Sequence, residues 1–363
     1  MADASANASA NASSDGRVVV VGAGPAGLEA ARLAGDLGAQ VTLVEKNESP
    51  GGMPIQANYA ALTHGFRSAE EAMGEMVTAV VDHPNIDLRT SSEITAMSGS
   101  APEFSLTLTS GDKSEEIVAG AVIVATGFRH FDPGRETQQY GYYEFPDVIT
   151  LADAEGMLKD NNFVRPSNGE IPEGVAFIQC VGSRDRQIGN EFCSKVCCGI
   201  SSKQAIEIRQ QVPDARVFIF YIDMRMYGYW ENDIYWPAQE EHKVNYVKGI
   251  VTEVLAKGDK LVIRGEDTTM GRPMEISMDI VVLAVGMEPS QGTRAMAEIL
   301  GIGTNKYGFI EQDHNSLDTV ATSVPGIFVV GAARGPADLD DSMATAGAAA
   351  AKAVAFVSSG VTV

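Results

Sequence analysis

Basic side chains are scarce: 27 lysines and arginines stand against 48 aspartates and glutamates, for a formal charge of -21. A field of that sign repels nucleic-acid phosphates and anionic lipid headgroups, so neither partner is expected. Long apolar runs are missing as well. Segments such as Ile280 to Val285 fall far short of the roughly 20 residues a bilayer span requires, and no membrane span is expected. The first 15 residues, rich in Ala, Ser and Asn, lack the basic start and apolar stretch of a secretory signal. They are read as a disordered tail, the chain as cytoplasmic, and the sequons at Asn7 and Asn11 as accidents of composition. Histidine is sparse and scattered; His64, His83, His130, His242 and His314 show no metal spacing and are assigned no chemistry. Cysteine is rarer still. All four, Cys180, Cys193, Cys197 and Cys198, lie within 19 residues, a clustering that asks for a chemical explanation.

What is present is a soluble globular composition over 363 residues, enough for about two domains. Arg17 to Gly22 is a β-branched run flowing into a glycine turn, Pro25 to Leu37 has helical spacing, and Gln40 to Glu45 reads as a second strand. Such a unit builds a parallel sheet with a right-handed crossover. A helix is expected near Ser68 to Val81. Alternation around Phe104 to Leu108 and Glu116 to Val118 predicts an antiparallel excursion before the buried strand Ala121 to Ala125. The pattern restarts near Leu151, with a strand from Val175 to Gln179, a helix from about Cys193 to Gln211 and a strand from Arg216 to Tyr221. Hairpins from Val244 towards Ile280 and the strand Val281 to Val285 close that unit, and strand Ile327 to Val330 with helix Met343 to Phe356 returns to the first domain. The fold class is therefore α/β: a Rossmann-like domain split over 16–150 and 288–363, with a second dinucleotide-binding-like α/β domain, 151–287, nested inside it.

Gly22, Gly24 and Gly27 form GxGxxG where strand meets helix, with Pro25 and Ala26 between the last two. The glycines permit a tight turn, close approach of a pyrophosphate and close packing of helix on strand, while the helix start offers unpaired amides to an anion. Glu45, 18 positions after Gly27, is placed to accept from a ribose, and Lys46 beside it is a candidate for the adenosine end. Gly51 and Gly52 continue an ExxxxxGG pattern, Ala125, Thr126 and Gly127 end a buried strand, and Thr322 to Gly331 reads TSVPGIFVVG. These three features, in this order, resemble the two-dinucleotide-binding-domain flavoproteins. The resemblance implies FAD, with Met53 near its isoalloxazine ring and Gly331 where the chain returns to the flavin. That superfamily usually places Asp after this glycine; Ala332 stands here, with Asp338, Asp340 and Asp341 nearby as candidate replacements.

The nested unit departs from a nucleotide site, because its first strand runs into Cys180-Val181-Gly182-Ser183 with one glycine left. Direct NAD(P)H binding is expected to be weak or absent. A helix starting near Cys193 puts Cys193 and Cys197 on one face and Cys198 about 100° away, so convergence with Cys180 requires a broad centre, and a [4Fe-4S] cluster has that breadth. Structural zinc, a flavin-linked dithiol and buried unligated thiols remain open readings of the same four residues.

QCVGSRD at Gln179 to Asp185, CSKVCC at Cys193 to Cys198, YIDMR at Tyr221 to Arg225 and GPADLDD at Gly335 to Asp341 together resemble the A component of heterodisulfide reductase and its homologues. The resemblance implies a flavoprotein carrying FAD and a [4Fe-4S] cluster on Cys180, Cys193, Cys197 and Cys198. Its partners would be further iron-sulfur and thiol-disulfide-converting subunits. Methanogen members carry added ferredoxin-like segments; this chain has no cysteines beyond the four and resembles the short form in heterodisulfide-reductase-like complexes of sulfur-oxidising microbes. The expected function is electron transfer in sulfur-compound oxidation, with no side chain acting as acid, base or nucleophile and with a homodimer when isolated. The competing expectation is a self-contained NAD(P)H-dependent flavin disulfide reductase with redox-active cysteines. Tyr221, Tyr227, Tyr229, Trp230, Tyr235 and Trp236 form an aromatic patch read as core or as a docking surface.

Overall fold

The computed structural model describes residues 17–63, 65–135, 138–314 and 316–359. The tail, its sequons and His64 lie outside the described residues. The valine run forms β1 (Arg17–Val21), buried on both faces and followed by α1 (Pro25–Asp36) and β2 (Gln40–Val44). A one-turn helix, α2 (Met53–Gln56), precedes α3 (Ala69–Val81), where the Ser68 hydroxyl accepts from the Glu71 amide at 3.3 Å and Glu70 and Glu71 favour the positive end of the helix. β3 (Ile86–Arg89) is followed by the antiparallel excursion, a separate three-stranded sheet of β4 (Glu93–Ser100), β5 (Glu103–Ser110) and β6 (Lys113–Ala119). Then come β7 (Ala121–Val124) and the short β8 (Phe128–His130).

The nested unit opens with β9 (Val148–Thr150) and α4 (Leu151–Lys159), joined by a capping box between Thr150 and Asp153. It continues with β10 (Gly174–Val181), α5 (Cys197–Gln211), β11 (Arg216–Tyr221) and α6 (Trp236–Glu240), then β12 (Asn245–Lys257), β13 (Lys260–Asp267), β14 (Arg272–Met278) and β15 (Ile280–Val285). Chain return is through β16 (Met287–Pro289), α7 (Gln291–Leu300), β17 (Ile327–Val329) and α8 (Leu339–Ser359).

Two sheets organise the molecule. The first is parallel throughout, in the order β17-β7-β1-β2-β3, so the last strand of the chain completes the first domain. The second, β14-β13-β12-β11-β10-β15-β9, is mixed: the hairpins simply extend its parallel part. Between the domains β8 pairs antiparallel with β16, with His130 opposite Met287. The apolar faces of α1, α3 and α8 pack on one side of the first sheet, burying alanines that let the helices lie close.

Two expected helix starts are corrected. The helix anticipated from Cys193 begins at Cys197, because residues 182–196 form a loop that carries left-handed Arg184 and Lys195, a geometry a helix cannot contain. The helix anticipated from Met343 begins at Leu339, which places Asp340 and Asp341 in its first turn.

A buried charge cluster joins α4 to α5. Lys203, fully buried, pairs with Glu155 at 2.6 Å and Glu207 at 3.1 Å, and Glu155 also accepts from the Ala60 amide. Burial pushes the Glu207 carboxyl up to about 7, against the pull of Lys203. A carboxyl whose pKa is higher in the folded chain stabilises the native state fully below its unfolded value of 4.5, and that contribution is lost as pH rises through about 7. Denaturant titrations should therefore show stability falling by on the order of 2 kcal/mol between about pH 5 and pH 8. Glu207→Gln should flatten that part of the profile.

Candidate functional site

A cleft of about 830 Å³ lies at the carboxyl ends of the first sheet and runs under the nested domain. Open parallel sheets place ligands at this edge. Its wall includes Gly22, Gly24, Pro25, Ala26, Glu45, Lys46, Gly52, Met53, Ala125, Thr126, Gly127, Ala332 and Asp340. Gly27, Gly51, Gly331 and Asp341 do not form its wall. Gly27 instead seats α1 on the sheet: a Cβ there would stand 1.7 Å from the Gly22 carbonyl oxygen. Gly331 packs against Ala26, and Gly51 lies against Ile55.

The first turn of α1 has neither a side-chain cap nor an acidic residue, so its amides are available to an anion. Opposite it, Gly52 has φ +62°, and a Cβ there would lie 2.6 Å from the Gly24 Cα. The two glycines leave a cradle that any side chain would fill. Glu45 is 5% exposed; one oxygen accepts from the Ala23 amide at 2.8 Å and the other from the Asn47 amide and side chain, which orients it at the end of β2. Across the cleft Ser290 donates to the Thr126 carbonyl at 2.9 Å and Thr293 to the Gly127 carbonyl at 3.1 Å, fastening α7 to the turn after β7.

The inner end of the cleft holds residues that sequence reasoning left out. Tyr59, His130 and Glu155 line it, with the Tyr59 hydroxyl 3.1 Å from His130 Nε2. Burial raises the Tyr59 hydroxyl and lowers the imidazole from its ordinary value, so both are neutral near pH 7. The signal for His130 was its place three residues past Gly127, on the strand leading out of the cleft. Trp230 closes the same end and packs on α5 at Gly199, where a Cβ would meet its ring at 2.3 Å. The aromatic patch thus divides. Trp230 is buried, while Tyr227, Tyr229 and Trp236 are exposed.

The cysteines gather behind this wall. Cys180, with φ +63°, is the next-to-last residue of β10; Cys197 and Cys198 open α5 and are buried; all four thiols are free. The Cys197 thiol is 3.8 Å from the Val285 carbonyl oxygen, and both Val285 and Val196 line the cleft. The Lys195 amide donates to Cys193 Sγ at 3.3 Å and the Arg225 amide to Cys198 Sγ at 3.5 Å. Burial pushes Cys180 up, Cys198 to about 11 and Cys197 well above the ordinary thiol range; each also feels the charge that its neighbouring cysteines would carry. Among the described residues no three His, Cys, Asp or Glu side chains are grouped to hold a metal ion. The Gln179 amide, next to Cys180, is buried with neither polar atom bonded among the described residues. At the turn itself, a Cβ on Gly182 would meet the Phe131 ring at 2.1 Å, so that ring covers the position where a dinucleotide fingerprint would stand.

Residues 16–162 and 222–353 match the pyridine nucleotide-disulphide oxidoreductase family. The chain belongs to that family. This pyridine nucleotide-disulphide oxidoreductase family member is 39% identical over 244 residues to the A component of the H(2):CoB-CoM heterodisulfide,ferredoxin reductase of Methanothermobacter thermautotrophicus, covering 66% of this chain and 37% of the relative. It is 31% identical to the A component of the H(2)/formate:CoB-CoM heterodisulfide,ferredoxin reductase of Methanococcus maripaludis, covering 94% of this chain and 64% of that one. The chain therefore spans between about a third and two thirds of the length of these relatives. Thioredoxin reductase of T. acidophilum shares the fold, with a TM-score of 0.64 at 20% identity over 93% of this chain and 97% of that one. The family member is an oxidoreductase with the two-dinucleotide-binding-domain flavoprotein fold, as its sequence led one to expect. No helix among its described residues is long and apolar enough to cross a membrane.

Proposed function

We propose that this chain is an FAD and [4Fe-4S] electron-transfer subunit of a heterodisulfide-reductase-like complex, of the short form used in sulfur-compound oxidation, and cytoplasmic. The observation that carries this reading is the shared wall: Val196 and Val285 line the cleft on one side and position Cys197 on the other. FAD supplies one- or two-electron chemistry and a cluster passes electrons singly, so neighbouring sites for the two interconvert these steps. In this reading α1 and the Gly24–Gly52 cradle bind the pyrophosphate, Glu45 and Lys46 the adenosine end, and Met53, Thr126 and Asp340 the flavin portion. The cleft's uncapped helix and the cradle that a Cβ on Gly52 would fill fit that cofactor.

For the cluster, the donor set is four thiols beside amides that already donate to sulfur, and the Gln179 amide, without a bonded partner among the described residues, marks a polar site at the end of β10 beside Cys180. Thiolates on a cubane stand farther apart than ligands around one ion, which is compatible with a set that does not close on a single metal. No cysteine side chain forms the wall of the cleft, so none faces a flavin there as an exchanging dithiol would. Partner subunits bearing further clusters and thiol-disulfide chemistry would exchange electrons with it, and a homodimer is its isolated form.

Anaerobic purification followed by iron, acid-labile sulfide and flavin quantitation tests the proposal. About four irons, four sulfides and one FAD per chain are expected. Flavin without iron after anaerobic reconstitution, together with rapid bleaching by NADH or NADPH alone, would instead assign a self-contained disulfide reductase.

A further inference from the structure

We infer that Lys195 is a positioning residue that couples the cysteine loop to the flavin cleft, so that filling either site strengthens the other. The inference rests on the proposed function and extends it to the lysine inside CSKVCC, a residue that is not itself a ligand. Lys195 lies between Cys193 and Cys197 in a left-handed conformation, φ +67°, which a non-glycine residue adopts at a cost. That conformation lets its two ends face different sites. Its amide donates to Cys193 Sγ at 3.3 Å, while its ammonium crosses to the other domain, pairing with Asp338 at 3.1 Å and with Asp341.

Those two carboxylates form the start of α8. The Asp338 side chain accepts from the Asp341 amide at 2.7 Å, capping the helix, and Asp338, Asp340 and Ser342 line the cleft. Three acids at the edge of a site for a dinucleotide would repel its phosphates, in a chain already at -21. Lys195 offsets two of them. It also ties α8, the segment that stands in for the missing Asp at Ala332, to a loop whose cysteines become anionic when they take iron. Arg334, also within electrostatic reach of Asp341, is partly buried and has a buried Nε without a partner among the described residues, so it does not duplicate the bridge. One residue therefore contacts both sides of the domain boundary, through its amide on Cys193 and through its ammonium on Asp338 and Asp341. Such coupling is reciprocal by necessity, and a bridge of this kind is worth about tenfold in affinity.

The full chain, purified anaerobically, provides the test. FAD affinity is read by flavin fluorescence on reconstitution, and iron loss to a colourimetric iron chelator is timed with and without FAD. Bound FAD should slow iron loss in the wild type by about tenfold. Lys195→Met should weaken FAD binding by a similar factor and abolish the effect of FAD on iron loss, whereas Lys195→Arg should restore both. Asp341→Asn, made from the other domain, should reproduce the methionine variant and stands in for it if that variant does not fold. Iron loss that ignores FAD in the wild type, or a methionine variant with wild-type affinity and wild-type linkage, overturns the inference alone. A wild-type chain that takes up FAD but no iron overturns the proposed function, and the inference with it.

Discussion

Gly27→Ala is expected to yield a chain without bound flavin, its affinity for FAD lower by more than about a hundredfold. The added Cβ would sit 1.7 Å from the Gly22 carbonyl oxygen and 3.2 Å from the Ala125 Cβ. Neither neighbour is a flexible side-chain tip, and Gly22 is itself confined, since a Cβ on it would meet the Ala125 carbonyl oxygen at 2.4 Å. The strain has one outlet, which is for the start of α1 to lift away from β1 and β7. That motion carries the amides of Gly24 and Ala26 out of the cleft, so binding fails through displacement of the phosphate site. Overpacking a tight site costs about 1–3 kcal/mol, and an overlap with backbone belongs at the upper end. Thermal unfolding should drop by several degrees. Gly74→Ala on α3 is the control: a Cβ there meets nothing within 4 Å, and alanine is expected to be neutral or to stabilise the helix by about 0.5–1 kcal/mol. Flavin content equal to wild type in Gly27→Ala, measured by absorbance after acid release, would mean that α1 is not the phosphate site.

Cys197→Ser carries the second large effect. Iron and sulfide are expected to fall from about four of each per chain to less than one, while the chain still takes up one FAD when FAD is supplied well above its dissociation constant, with affinity lower only by the roughly tenfold linkage. The separation follows from where the sulfur lies. Cys197 is buried against the Val285 carbonyl on the far side of the cleft wall, so its loss removes a ligand without removing a cleft residue. Cys193→Ser, in the loop, should behave alike if the four thiols act as one ligand set. A dithiol site predicts something different: no iron in wild type or variant, and a loss of disulfide reduction only when a member of the redox pair is changed. Elemental analysis beside flavin absorbance on the same samples distinguishes the two.

Much of this arrangement was legible in the chain because its signals are local. The valines of β1, the glycines at 22, 24 and 27 and the acid at 45 act within one strand-helix-strand unit, where spacing along the chain and spacing in space nearly coincide. The same holds for Ser68 at the start of α3 and for the alternating strands β5 and β6. The sequence pattern puts the start of α5 four residues early because apolar and polar residues in 193–196 mimic helical spacing, while the left-handed turn at Lys195 is set by what its two ends bind. Asp341 shows the same limit. Its motif placed it near the flavin, and its carboxylate is engaged instead by a lysine 146 positions away.

Charge, the lack of apolar spans, the dinucleotide fingerprint and the clustering of four cysteines are properties of composition and short-range order, and the chain carries them without folding. The pairing of Tyr59 with His130, the meeting of Glu155 with Lys203 and the single wall between the cleft and Cys197 join residues 48 to 88 positions apart. Such contacts depend on how two nested domains close on one another. A buried side chain takes its protonation and its partner from whatever packing removes water around it, and no local pattern encodes that.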